Sequence, residues 1–295
     1  MHVKEPSSVL IAGHKLAYDE ARPADPADAK GAILLLTGLG SKRLAWARQL
    51  EVFGRQYRTI AMDYRDTGDS DEVAEPYAVA DLADDAAAVL GALGIARTHV
   101  VGISLGGFTA LQFALRHANL LDRLVLVSTS AGGRTHVQPS AEIVALLAPS
   151  PGVEAGARAI YTYSRIMAND FVAAHPEELE RIADTARYRS QSSAAYMRQL
   201  TATLAHDVVD SLRYITAPTL VIHGDVDPLV PPANGAYLAT HITGARHIVY
   251  PGVGHIPIVE RADDFNRDVL AFLAAADQTD TQRSSAGDAA RNATS

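Results

Sequence analysis

Apolar residues along the chain fall into short, nearly continuous runs separated by longer amphipathic stretches. These runs predict strands buried on both faces of a sheet, at Ala32–Leu36, Thr59–Tyr64, His99–Ile103, Arg123–Ser128, Thr219–His223 and His247–Tyr250. Upstream, alternating positions across Val9–Tyr18 predict a hairpin that turns at Gly13. The strand pattern therefore begins near the start of the chain and recurs almost to its end.

Between the runs, apolar residues recur at three- and four-residue spacing, which predicts helices. Val79–Leu93 shows this best, because Leu82, Ala86 and Val89 share one face. The other predicted helices are Leu105–His117, Ala233–His241, Ala262–Ala275 and a helix capped by Ser41 that runs to Phe53. Buried strands that alternate with helices predict an α/β fold: a mostly parallel sheet with helices on both faces.

This alternation is interrupted once. Residues 132–212 look helical and show no strand pattern, yet they lie between two core strands, which predicts an inserted helical cap. Residues 1–131 and 213–276 then form the α/β core. Residues 277–295 are rich in Thr, Ser, Asp and Ala and poor in apolar residues, so we expect a disordered tail.

Composition narrows the functional classes. The chain has 295 residues, 48% hydrophobic and 20% charged, with a net charge of −8, which argues against nucleic-acid binding. It has no cysteine, so disulfides, thiolate metal sites and cysteine nucleophiles are excluded. No signal peptide and no apolar run of roughly 18–20 residues is evident, so we predict a cytoplasmic protein without membrane partners. The sequence leaves a homodimer open.

The stretch "VVGISLGG" carries the strongest chemical signal. Ser104 lies in a Gly-x-Ser-x-Gly pattern between a predicted strand and a predicted helix. Such a turn exposes a serine oxygen for nucleophilic attack, and Gly102 and Gly106 fit because a Cβ at either position would clash. The alternative is an ordinary turn that matches by chance, but the strand before it and the helix after it favour the nucleophile.

A serine nucleophile needs a base, and the base needs an orienting acid. His255 lies in a glycine-flanked loop after the last predicted strand, and we take it as the base. Asp225 and Asp227 both follow the strand at Thr219–His223 and are candidates for the acid. The chain order Ser, Asp, His is the order expected for this elbow motif. His223 lies within that strand and is interpreted as a buried core or supporting residue.

Together "GISLGG", "HGDVDPLVPP" and "PGVGHIPIVERADDFNRDVLAFL" resemble the α/β-hydrolase family, over about Val9 to Ala275. The resemblance implies that the acid is Asp227, three residues after Gly224. It also implies an oxyanion hole formed by the backbone N–H groups of Leu39 and Leu105. The family's usual histidine before this loop is Thr37 here, which affects an anchoring hydrogen bond and not the backbone donor.

The family loop of the form D-x-R-G-x-G-x-S appears at residues 63–70, with Asp66 in place of a glycine. Aspartate tolerates left-handed backbone better than most residues, so the turn can persist. This form is similar to polyketide methyl esterases and enol-lactonase-like hydrolases. Alternatively, the loop is an ordinary surface turn with no bearing on the substrate.

Within the family, Ser104 argues against epoxide hydrolases and haloalkane dehalogenases, which place aspartate at the elbow. The predicted function is a serine hydrolase, an esterase or lactonase, that acts on a small, largely apolar carboxylic ester or lactone without a cofactor. C–C bond hydrolases and cofactor-free perhydrolases use the same triad and remain alternatives. A small-molecule receptor with little turnover is an alternative of another class. No metal-binding motif such as H-E-x-x-H occurs.

The cap should supply the substrate pocket. Its candidate lining residues are large and mostly aromatic: Tyr161, Tyr163, Met167, Phe171, Tyr188 and Tyr196. At helical spacing such residues also form ordinary core. Cap arginines could bind a substrate carboxylate or could simply be solvated on helix faces: Arg158, Arg165, Arg187, Arg189 and Arg198.

Overall fold

The computed structural model of the protein describes residues 5–150 and 152–275, and the predicted tail at 277–295 lies outside this part. One sheet contains β1 (Ser7–Ile11), β2 (His14–Ala21), β3 (Ala32–Leu36), β4 (Arg58–Met62), β5 (Thr98–Ile103), β6 (Leu121–Val127), β7 (Thr219–Gly224) and β8 (Arg246–Tyr250). The spatial order is β1-β2-β4-β3-β5-β6-β7-β8. β1, β2 and β4 pair antiparallel, and all other neighbours pair parallel.

The helices of the core are α1 (Ala47–Gly54), α2 (Val79–Ala92), α3 (Leu105–Arg116), α9 (Ala233–His241), α10 (Pro257–Glu260) and α11 (Ala262–Ala274). Between β6 and β7 lie α4 (Ala141–Ala145), α5 (Ala155–Ile166), α6 (Asn169–Ala174), α7 (Pro176–Arg187) and α8 (Ser193–Leu204). These five helices form the cap. No helix in the described ranges combines the length and apolarity needed to cross a bilayer.

Both faces of the sheet are buried at the central strands β3, β5, β6 and β7, as the continuous apolar runs predict, whereas the edge strand β8 is only partly buried. In β3, Leu34 and Leu36 join the cluster that includes α2 and α3 residues, whereas Ile33 and Leu35 join the cluster on the opposite face. Successive strand residues point to opposite faces, so a strand with both faces covered must be apolar throughout. The α/β fold with a mostly parallel sheet and an inserted helical cap is confirmed.

The loop at residues 63–70 is not the ordinary surface turn that sequence analysis allowed. Asp66 does adopt left-handed backbone, with φ of +70°. Its buried carboxylate accepts hydrogen bonds from Nε and Nη2 of Arg198 on α8, at 3.0 and 2.9 Å. Asp69 accepts a third hydrogen bond from the cap, donated by the Tyr188 hydroxyl at 2.8 Å. The loop therefore fastens the cap to the core.

The start of α1 also differs from the prediction. Ser41 does not cap a helix, because the chain first makes a turn in which its N–H donates to Gly38 O at 3.1 Å. A 3₁₀ helix at Arg43–Trp46 follows, and α1 begins only at Ala47 without a side-chain cap. Ser41 is thus part of the loop that follows β3 and not of a helix.

His206, just after α8, is buried in an apolar setting that should make stability depend on pH. Its ring stacks on Phe108 with centroids 4.4 Å apart, and neither ring nitrogen has a hydrogen-bond partner among the described residues. Burial lowers the pKa of His206 to about 4, against a smaller opposing effect of Asp207. In the unfolded chain the pKa is about 6.5. As the pH falls from 6.5 towards 4, the unfolded state therefore gains a proton that the folded state does not accept.

We expect the free energy of unfolding to fall by about 3 kcal/mol between pH 7 and pH 4 through this residue alone. His206→Phe keeps the stacked ring and should remove that part of the pH dependence. Urea denaturation of both proteins at the two pH values measures it. His241→Phe is the control, because His241 is exposed and also stacks on an aromatic ring, that of Tyr237. An equal fall in wild type and His206→Phe would contradict the prediction.

Candidate active site

Ser104 occupies a sharp turn between β5 and α3. Its backbone has φ of +56° and ψ of −119°, a conformation that is strained for any residue with a Cβ. A Cβ on Gly102 would lie 2.1 Å from Gly106 O, and a Cβ on Gly106 would lie 2.1 Å from Leu36 O. Any larger residue at either position would clash with the backbone, as the motif predicts. The turn leaves Ser104 partly exposed while its neighbours are buried.

The loop that follows β3 lies against this serine. A Cβ built on Gly38 would be 3.5 Å from Ser104 Cβ and 3.9 Å from Ser104 Oγ. Within the described residues, the N–H groups of Leu39 and Leu105 donate to no protein acceptor. Leu105 is also the first residue of the 12-residue helix α3, whose N-terminal end favours negative charge. Both N–H groups are thus available to an oxyanion formed near Ser104.

A cap residue that sequence analysis did not single out holds this loop. Gln199 on α8 is completely buried, and its Oε1 accepts a hydrogen bond from Gly40 N–H at 2.7 Å. The ring of Tyr196 packs beside Gly40, with Cε2 3.2 Å from where a Cβ would stand. The sequence offers no signal for this contact, since one glutamine on an amphipathic helix has no distinguishing pattern.

His255 and Asp227 meet after β8 and β7, and both are buried. His255 Nδ1 lies 2.8 Å from Asp227 Oδ2. The other oxygen, Asp227 Oδ1, accepts hydrogen bonds from the N–H groups of Leu229 and Val230, each at 2.9 Å. Burial acts to raise the pKa of Asp227, but the charge and hydrogen bonds of the facing His255 and His223 outweigh it and lower the pKa to about 2. The carboxylate therefore stays charged beside the imidazole.

His223 lies directly beneath this pair. Its Nε2 is 3.5 Å from Asp227 Oδ2 and 2.8 Å from Val230 O. A carbonyl can only accept a hydrogen bond, so Nε2 carries the proton. His223 is fully buried and packs against Gly235, where a Cβ would lie 2.4 Å from its Nδ1. It is a buried support for the carboxylate, in line with its interpretation as a core or supporting residue.

Asp225, the other candidate acid, points elsewhere. It is exposed, and its Oδ1 accepts a hydrogen bond from Gly252 N–H at 2.7 Å. It therefore braces the loop after β8 and does not contact His255. Of the two aspartates, the structure brings only Asp227 to the imidazole.

A second residue absent from the sequence-based predictions lies four positions after Ile256. The buried carboxylate of Glu260 accepts hydrogen bonds from Gly254 N–H and Ile256 N–H, the two neighbours of His255. The sequence gives only a weak signal for this role. Glu260 falls within the single turn of the four-residue helix α10, and an acidic residue in a first helical turn is ordinarily explained by the helix dipole.

Three of the predicted pocket residues lie near the catalytic loops. Tyr196 packs on Gly40, as described above. Burial raises the pKa of Tyr163, and a hydrogen bond that its phenolic oxygen accepts from Ser41 partly offsets this. Met167 is buried, and its backbone carbon would lie 2.8 Å from a Cβ on Gly254. These contacts keep the three as candidates for the pocket wall.

The other three are placed differently. Tyr161 is 55% exposed and stacks with the guanidinium of Arg165, 3.7 Å from its ring centroid. Phe171 packs against the ring of His175 and lines a cleft between the cap and the segment around Arg261. Tyr188 donates its hydroxyl to Asp69 in the loop that fastens the cap. The structure does not bring these residues together with Ser104.

Each cap arginine considered for substrate binding is engaged within the protein. Arg198 is held by Asp66 and Glu72, and Arg189 pairs with Asp69. The remaining three contact the cap itself: Arg158 over Tyr196, Arg165 over Tyr161, and Arg187 with Glu154 and Asp184. A substrate carboxylate would have to displace one of these partners.

Comparisons with known proteins bear on the family of the chain. A sequence model of the alpha/beta hydrolase family matches residues 33–268. A curated relative from Caulobacter sp. (strain K31), named "Putative carbamate hydrolase RutD", is 31% identical over 252 residues, which cover 84% of this chain and 92% of that protein.

Solved structures extend the likeness. The crystal structure of an enol-lactonase from Burkholderia xenovorans LB400 is similar with a TM-score of 0.81 and 28% identity, covering 91% of this chain and 100% of that chain. A protein described as an N-acyl homoserine lactone degrading enzyme is similar with a TM-score of 0.74 and 28% identity, covering 90% of this chain and 100% of the other.

Proposed function

Because the chain belongs to the alpha/beta hydrolase family and is a hydrolase, we propose that it cleaves a carboxylic ester or lactone of a small, largely apolar substrate through an acyl-enzyme on Ser104. The observation that carries this proposal is the hydrogen-bonded pair of His255 and Asp227 in a protein whose Ser104 stands on a strained elbow. Each element of nucleophilic catalysis then has a residue: nucleophile, base and orienting acid.

In the proposed reaction, Ser104 Oγ attacks the scissile carbonyl carbon while His255 Nε2 takes the hydroxyl proton. The negative charge that develops on the carbonyl oxygen is stabilised by the N–H groups of Leu39 and Leu105. His255 then donates the proton to the leaving alkoxide, and the acyl-enzyme forms. Water activated by His255 releases the acid and restores Ser104. Asp227 keeps the proton of His255 on Nδ1 throughout, so that Nε2 can act as base.

The charges of the cap favour a neutral substrate. Arg198 and Arg189, on the part of the cap that contacts the core, are already paired with buried or nearly buried carboxylates. Removing such a partner leaves a charge uncompensated, which is costly. Binding of a substrate carboxylate there would therefore be opposed, and an uncharged ester or lactone fits better.

A carbamate is the second candidate substrate, because the curated relative at 31% identity is named for carbamate hydrolysis. Its carbonyl carbon is attacked in the same way, but the adjacent nitrogen donates electrons and makes the carbonyl less reactive. C–C bond cleavage and perhydrolysis use the same triad, and no contact of the described residues favours either of them.

The test is turnover on three matched substrate sets: p-nitrophenyl esters of increasing acyl length, lactones of increasing ring and chain size, and p-nitrophenyl carbamates. Ser104→Ala is the blank for each set. We expect sustained turnover of esters or lactones with an optimum in acyl length. Sustained turnover of carbamates alone would replace the ester assignment by the carbamate one. A single stoichiometric burst with every set would favour a receptor with little turnover.

A further inference from the structure

Glu260 sits at the end of α10 with its carboxylate turned back towards the His255 loop. It is only 7% exposed. Oε2 accepts hydrogen bonds from the N–H groups of Gly254 and Ala168, both at 2.8 Å, and Oε1 accepts one from Ile256 N–H at 2.9 Å. Two of these donors belong to the loop of the base, and the third belongs to the cap.

The carboxylate has no cationic partner. Among residues 5–150 and 152–275, Glu260 forms no ion pair with lysine, arginine or histidine. A buried carboxylate is stable only when hydrogen bonds replace its hydration, and three short N–H bonds to a charged acceptor do so. An ionised carboxylate accepts through both oxygens and donates through neither, so it matches three converging N–H groups as no neutral side chain can.

The consequence is a backbone fixed on both sides of His255. Glu260 holds Gly254 and Ile256, and the N–H of His255 itself donates to Ile166 O at 2.7 Å. The close approach requires Gly254, because a Cβ there would lie 2.5 Å from Ile166 O. Core and cap thus meet at the three residues that set the direction of the imidazole.

We propose that Glu260 is a positioning residue for His255 and that it makes the position of this base depend on the docked cap, through Ala168. This inference rests on the proposed function, in which His255 is the base. Glu260 does not touch the substrate; it acts through the backbone that carries the imidazole. Small displacements of a catalytic group lower the rate strongly while leaving substrate binding nearly unchanged.

The first test replaces Glu260 by glutamine. Its amide oxygen can keep the bonds from Gly254 and Ala168, but its NH₂ group then faces Ile256 N–H. We expect kcat to fall about 10–100-fold with KM changed less than about twofold. Labelling of Ser104 by a fluorophosphonate, which also needs the base, should slow in parallel. Asp225→Asn is the matched control, because this carboxylate also accepts an N–H of the loop after β8, but on the exposed side. It should change kcat by less than about threefold.

The second test removes the donor from the cap. Ala168 has φ of −62° and ψ of 133°, and Met167 before it is extended, so the backbone accepts proline at position 168. Ala168→Pro deletes the N–H and should lower kcat about 10-fold in wild type. In a Glu260→Ala background, which lacks the acceptor, the same change should have little further effect on kcat. This non-additivity separates positioning from a general loss of stability.

If Glu260→Gln does not fold, as judged by circular dichroism, Ala168→Pro in the wild-type background carries the test alone, and wild-type kcat and labelling rate in that variant would overturn the inference. Strictly additive losses in the double variant, or Glu260→Gln with wild-type kcat and labelling rate, would overturn the inference while leaving the proposed function intact. A wild-type protein that neither turns over any substrate nor is labelled at Ser104 would overturn both.

Discussion

Ser104→Ala is expected to lower kcat by at least about 10⁴-fold on any substrate that the wild type turns over. The substitution removes the only atom that can form the acyl-enzyme, while the backbone donors of Leu39 and Leu105 and the substrate pocket remain. Residual rate should therefore come from oxyanion stabilisation and binding alone. Steady-state kinetics measures the loss, and mass spectrometry should find fluorophosphonate on the peptide that contains Ser104 in wild type only.

Ser104→Gly provides a comparison that tests the elbow itself. Both variants lack the nucleophile, but alanine keeps a Cβ at φ of +56° whereas glycine does not. Such backbone strain costs on the order of 1–3 kcal/mol, and the extra freedom of glycine in the unfolded chain offsets part of the gain. We expect Ser104→Gly to unfold at a free energy about 1 kcal/mol higher than that of Ser104→Ala.

The two variants test two separate claims: that Ser104 is the nucleophile, and that its backbone is strained. Activity retained by purified Ser104→Ala, above about one hundredth of wild type, would show that another group is the nucleophile. Equal stability of the alanine and glycine variants would show instead that the turn is not strained in solution. As a control, Ser140→Ala, which removes the exposed hydroxyl that caps α4, should leave turnover within about threefold of wild type.

The residues at the strand ends could be predicted because their chemistry and position are both local. Ser104 lies between two glycines that can be recognised within five consecutive residues, Gly102 to Gly106, and the structure shows the contacts that exclude a Cβ at both positions. Asp66 could be predicted to adopt left-handed backbone for the same reason, since the preference belongs to one residue. Continuous apolar runs likewise predicted the central strands, whose two faces are both covered.

Contacts between a side chain and a distant backbone left no such trace. Gln199 meets Gly40 across 159 residues, and Glu260 meets Ala168 across 92. Neither hydrogen bond has a periodicity, and a glutamine or glutamate on a helix is ordinarily solvated. The prediction that Ser41 caps a helix was wrong for the opposite reason. Serine is a preferred capping residue, but Ser41 lies in the turn that contains Leu39, and this turn delays the start of α1 to Ala47.

Asp227→Asn is expected to lower kcat by about 10³–10⁴-fold, with little change in KM or stability. The direction in which the new amide will point is set by its neighbours. Leu229 N–H and Val230 N–H both donate to Oδ1, so the asparagine must present its carbonyl oxygen to them. Its NH₂ group then faces His255 Nδ1 and donates to it. The proton of the imidazole is forced to Nε2, where it blocks acceptance of the Ser104 proton.

Asp225→Asn should lower kcat by less than about threefold, because the exposed carboxamide oxygen can still accept from Gly252 N–H. Parallel kinetics on both variants, with thermal unfolding to confirm folding, measure the ranking. The carboxylate of Asp227, with its pKa near 2, remains charged throughout any usual assay, so the difference should persist across pH 6–9. A larger loss in Asp225→Asn would mean that the orienting acid lies in the exposed loop. The buried pair of Asp227 and His223 would then serve only to hold the end of β7.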